Sequence, residues 1–177
     1  MRSDVLKMDK NQEEVLLSSM GADQYIEIDV DHSVEWMRNI LSELQEDVAG
    51  ELRKAPELLE KTSLSFQGDL QKRANSFWRD HALLVGDLKA RFWTQCIKSG
   101  ELLLEKIDLD IQAIFINEAI KKSKNLEETD TLMVESYEYD LYFYQSSVVK
   151  ISDVLHEQLF LNKEPYPIKT KQETETS

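Results

Sequence analysis

The chain carries little punctuation, with five Gly and three Pro in 177 residues. A fold of many short strands needs more turn residues than that, so the scarcity argues against an all-β protein. One cysteine, Cys96, excludes an internal disulfide, and there is no Asn-x-Ser/Thr acceptor site. Both absences fit a reducing compartment. No apolar run approaches the roughly 20 residues that cross a bilayer, and the stretch Met1-Arg2-Ser3-Asp4-Val5-Leu6-Lys7 has no apolar signal core. Membrane insertion is not expected, and the expected location is intracellular, cytoplasmic or cytoskeletal, with the nucleus left open. Cations are scarce too: 21 Lys and Arg face 34 Asp and Glu, for a net charge of −13 and a pI near 4.7. That field opposes phosphate backbones and anionic membranes, which argues against nucleic acid as the main ligand.

What remains is a chain with 41% apolar and 31% charged residues, enough to bury a core, at a length that suits one domain. The negative charge is uneven. Residues 1–61 carry 7 basic and 15 acidic side chains, residues 62–121 carry 8 of each, and the remainder carries 6 and 11.

Apolar spacing suggests helices. Val15, Leu16 and Met20 make a weak helical patch between Asn11 and Gly21. After Ser33, read as an N-cap with Asp31 beside it, Val34, Met37, Leu41, Leu44 and Val48 step by three and four, predicting a helix from about residue 34 to 53 that breaks at Pro56. Leu70, Ala74, Phe77, His81, Leu84, Leu88 and Phe92 continue the spacing toward Gly100, and residues 101–121 are apolar over a wide arc. Residues 126–161 carry a seam of Tyr137, Leu141, Tyr144, Val148, Ile151, Leu155 and Leu159, which as one helix would extend about 54 Å. Residues 26–30 alternate apolar with acidic side chains as a short extended segment does; residues 107–111 alternate likewise and could pair with them, but the unbroken length of the apolar stretch favours helix there.

Chemistry-bearing patterns are thin. Asp153-x-x-His156 has no second Glu-x-x-His to complete a carboxylate-bridged metal site. Asp29, Asp31 and Ser33 begin like a calcium loop, but Val34 stands where the loop needs glycine and Ile40 where it needs glutamate. Cys96 and His81, 15 residues apart on a helix, would lie about 22 Å apart, too far to share a proton. His32 offers no partner by spacing. No catalytic, cofactor or metal residues are assigned.

Aromatic residues are the better signal. Phe77-Trp78 recurs as Phe92-Trp93 within the only stretch with a basic surplus, which makes Trp78 and Trp93 candidate partner anchors, set against internal packing. Tyr139 and Phe143 point off the last seam and, with Phe160, form a second candidate strip for a partner helix.

The expectation is therefore an all-α, elongated, coiled-coil-like helical bundle over residues 33–161, after a partly ordered segment 1–32 and before a disordered tail 162–177. Its expected role is a noncatalytic structural or protein–protein interaction subunit of a cytoskeletal or chromosome-associated assembly, partnered by other helical proteins or by itself. Two alternatives stand beside it: an acidic chaperone or inhibitor of a basic client, and a helical-bundle enzyme whose site leaves no motif.

Overall fold

A computed structural model describes residues 6–168. It overturns the helical bundle: 45% of the chain is strand and 26% helical, around a seven-stranded mixed sheet. In chain order the strands are β1 (Leu6–Lys7), β2 (Glu14–Leu16), β3 (Tyr25–Asp31), β4 (Ser63–Asn75), β5 (Arg79–Gln95), β6 (Leu102–Asn117), β7 (Thr131–Val134), β8 (Tyr137–Tyr144) and β9 (Val148–Lys150). The helices are α1 (Glu35–Leu44), α2 (Ala49–Lys54) and α3 (Ile151–Asn162). The main sheet runs β1-β3-β4-β5-β6-β8-β7, and β2 pairs with β9 in a small second sheet. The β3-β4-β5-β6 ladders are antiparallel, whereas β1 joins β3 and β8 joins β6 in parallel.

The periodicity misled because a step of four satisfies both a helix and a strand, where residues two apart share a face. Leu84, Leu88 and Phe92 step by four along β5 and all point to the inner face, each fully buried. The expected helix through residues 70–100 is the β4–β5 hairpin, the one over 101–121 is β6, and of 126–161 only α3 is helical. Residues 26–30 and 107–111 are both extended, in β3 and β6, yet β4 and β5 lie between them. Of the helix predicted over 34–53, α1 and the shorter α2 survive as two pieces, and Pro56 opens a 3-10 turn over Pro56–Lys61. Ser33 is not the cap: Val34 holds that position, and Asp31 Oδ1 instead accepts the Ser33 amide. The helical patch near Val15 is β2 followed by a 3-10 turn.

The core lies between the inner sheet face and two helices. Along β3, Ile26, Ile28 and Val30 point inward and alternate with exposed Tyr25, Glu27, Asp29 and Asp31. α1 buries Trp36, Met37, Ile40, Leu41 and Leu44 on this face, and α3 adds Ile151, Val154, Leu155 and Leu159. Each such side chain contributes about 1.5–3 kcal/mol when fully buried. The β2–β9 pair fixes the start of α3, where the Ile151 amide donates to Glu13 O at 2.9 Å. At its far end Lys163 Nζ donates to Leu44 O, the Glu164 amide donates to Glu105 Oε1, and Pro167 O accepts the Ile97 amide, so residues 163–168 lie against the sheet. The rest of the tail expected to be disordered, residues 169–177, lies outside the described residues.

The long strands approach most closely where Gly68 of β4 faces Gly86 of β5. A Cβ on either would come within 2.7 Å of the other's Cα, and the Phe66 ring covers both. Gly50 in α2 is different, because a Cβ there meets nothing closer than an Arg53 nitrogen at 4.0 Å. Gly68→Ala or Gly86→Ala should therefore destabilise the protein by about 3 kcal/mol in urea unfolding, while Gly50→Ala should stabilise it by about 0.5–1 kcal/mol.

His81 gives a second prediction. It is 2% exposed, its Nδ1–H donates to Arg79 O, and burial pushes its pKa below the ordinary imidazole value. The unfolded chain then binds the extra proton first, so stability falls as pH drops below about 6.5 toward the native value. His81→Gln should flatten the dependence of the urea midpoint on pH between about 7.5 and 5.5.

Candidate outer-face acidic site

Among the described residues, the outer face of the sheet, away from α1 and α3, is covered only at its ends. At one end Ile120 and Leu126 pack on Leu83, Ile114 and Ile116, with Tyr139 beside them on β8. At the other, Val48 and Leu52 with Leu58 cover Trp93, Leu102 and Leu104. Between these caps the outward side chains of β3–β6 face solvent, and they are predominantly acidic. β3 supplies Glu27, Asp29 and Asp31, β4 supplies Asp69, β5 supplies Asp87, and β6 supplies Asp108 and Asp110.

The register sets like charges against each other. Glu27 lies directly opposite Asp69, and Asp87 directly opposite Asp110. Such cross-strand pairs are destabilising, unlike the neighbouring Lys89–Asp108 pair, which joins opposite charges. The hydrogen bond that the protonated Asp110 carboxyl donates to Asp87, with the negative charge of Asp87 and Asp108, pushes the Asp110 carboxyl above its ordinary range. At the edge of the window Asp31 is shifted the other way, its carboxylate held low by hydrogen bonds from Ser33. Lys89, Arg91 and Lys106 border the window toward the Trp93 end, and exposed Val85 lies at the opposite border.

The five candidate anchors do not form one surface. Trp78, Tyr139 and Phe143 share the Leu83–Ile114 cap, where Tyr139 is 9% exposed and the Lys121 ammonium lies 4.5 Å from the Phe143 ring centroid. Trp93 belongs to the other cap, its amide donating to Gln45 Oε1 and its indole Nε1–H to Leu58 O. Phe160 lies on α3, stacked on His156 at 4.5 Å. The window is built instead from acidic residues. The alternation of the β3 run marks it as extended, but the alignment of Asp87 with Asp110 is a property of pairing that spacing along one strand does not reveal.

The nucleophile and bases are dispersed. Cys96 is 3% exposed and follows β5, so at about 3.3 Å per residue it is roughly 50 Å from His81. His32 Nδ1 accepts the Leu64 amide, and His156 Nε2 meets Glu43 Oε2 at 2.5 Å. Among the described residues no group of three or more His, Cys, Asp and Glu side chains is arranged to hold a metal ion, and no helix is long and apolar enough to cross a membrane.

With this geometry in hand, comparison with protein-family models, curated proteins and solved structures finds no match.

The opposed carboxyls give a test. Because the native Asp110 pKa is raised, the cost is present above that pKa and is relieved as pH falls through it toward the unfolded value near 3.9. Asp110→Asn should raise the melting temperature at pH 7 and low salt, with the gain shrinking in high salt and disappearing near about pH 3.

Proposed function

We propose that the chain is a noncatalytic protein-binding protein whose acidic outer-face window docks a basic surface of another protein. The observation carrying this reading is the set of exposed carboxylates on β3, β5 and β6, with Asp87 opposite Asp110, in the part of the outer face that neither cap covers. A lysine- or arginine-bearing partner relieves that repulsion on binding, so the window favours a cationic complement over any other protein surface. It also disfavours a second copy of this chain, which would present the same carboxylates to one another. The noncatalytic part rests on the histidines, each of whose rings is engaged by a backbone or side-chain partner in a different part of the fold.

The basic borders Lys89, Arg91 and Lys106 would set the direction in which a partner lies, by repelling its cations from that end. Titration of the labelled protein with deca-lysine, followed by amide chemical shifts, tests the reading. Shifts should concentrate at residues 27–31, 67–69, 87 and 108–110, and affinity should fall roughly tenfold or more between about 50 and 300 mM salt. The combined substitution Asp29→Asn, Asp87→Asn and Asp110→Asn should remove them. Shifts spread over the helical side, or unchanged by the triple substitution, would refute the assignment.

A further inference from the structure

A second site lies at the β4–β5 turn, away from the acidic window. Three chain reversals meet there: the turn Ser76–Trp78 between paired Asn75 and Arg79, the end of β6 at Asn117, and the β8–β9 turn at Ser146–Ser147. They border an open polar depression of about 410 Å³, within the size range of small-molecule sites. It is lined by exposed Ala74, Asn75, Ser76, Arg79 and Asp80, half-buried Asn117 and Ser147, and buried Tyr144.

Arg79 is the unusual member. The residue that follows this turn has a left-handed backbone, a conformation that glycine adopts without strain. Arg79 holds it with φ at 58°. Its guanidinium, with five donors, makes no ion pair or hydrogen bond among the described residues. The other lining groups are mostly satisfied on one side only. Asn75 Oδ1 accepts the amides of Phe77 and Trp78, which leaves its NH2 group to donate. Ser147 Oγ accepts the Ser18 amide and keeps its own proton for donation. The Tyr144 hydroxyl is committed to Asp80 O at 2.6 Å. The acceptor among the lining groups is the exposed Asp80 carboxylate, with Lys72 Nζ 3.9 Å away.

We propose that this cavity binds a small carboxylate ligand that also carries a hydroxyl or ammonium donor, of hydroxy-acid or amino-acid size. Arg79 and the Asn75 amide take the carboxylate, and Asp80 takes the ligand's donor. With Lys72 and Arg79 set against Asp80, the local balance suits a single negative charge, and Asp80 disfavours a dianion such as phosphate. The strained backbone then follows from the ligand's need for a guanidinium at that turn position.

The test uses the full chain, titrated at constant ionic strength with L-serine, with glycolate and with inorganic phosphate, and followed by amide chemical shifts. L-serine or glycolate should give saturable shifts at Asn75, Ser76, Arg79 and Ser147. Arg79→Gly and Arg79→Asn should both weaken that binding roughly tenfold or more, because a charge-assisted contact is lost. Both variants should nonetheless melt at a higher temperature than the parent, since each accepts a left-handed backbone more readily than arginine. Binding of phosphate alone, no saturable shift with any probe, or unchanged affinity in the two variants would overturn the proposal.

Discussion

Burial of the inner face of β3–β6 under α1 and α3 is the constraint on which the rest depends. A strand sends successive side chains to opposite faces, so committing Ile28, Phe66, Leu88 and Ile111 to the core commits their neighbours to the other side. The acidic window is the complement of the core pattern. A one-residue slip in any of these pairings would drive carboxylates into the apolar layer and expose the apolar set, which is why the register tolerates Asp87 opposite Asp110. Core burial outweighs a solvent-screened repulsion between exposed groups.

The same sheet explains why its outer face is neither wholly apolar nor wholly polar. Where β5 and β6 carry Leu83, Ile114 and Ile116 outward, Ile120 and Leu126 pack on them and β8 and β7 extend the sheet beside them, and where they carry Trp93 and Leu104, α2 and the following 3-10 turn cover them. The caps end where the outward residues become charged. Close packing at the middle of the sheet depends on Gly68 and Gly86, whose missing side chains make room for the Phe66 ring. The inner layer therefore keeps its aromatic filling without spreading the strands.

Part of this was legible in the sequence. The alternation of residues 25–31 was visible and correct as extended structure, unlike that of 107–111, which the length of the apolar stretch outweighed in favour of helix where β6 runs, and the α1 stripe Met37, Leu41 and Leu44 was visible as helix. The long strands were not, for two physical reasons. Apolar residues four apart lie on one face of a helix and on one face of a strand alike, and near residues 81–84 both sheet faces are buried, which erases the alternation that would have distinguished them. Turn signals were weak as well, because left-handed turn positions are filled by Arg79, Glu135, Ser136, Ser146 and Ser147 where glycine or asparagine would have announced them. The acidic surplus of the first third was readable, but its alignment with Asp87 and Asp110 required the pairing.

An acidic surface of this form gives a partner direction and selectivity more than bulk affinity, since exposed ion pairs are individually weak and act together. Zero-length carbodiimide cross-linking of the full chain in native lysate, with the linked peptides mapped by mass spectrometry, measures the central claim most directly, because it joins a carboxylate only to a lysine in contact with it. The account predicts links from Asp87, Asp108 or Asp110 to lysines of one recurrent partner, lost when these carboxylates are replaced by amides. Links confined to α1 and α3, or none from the window, would contradict it.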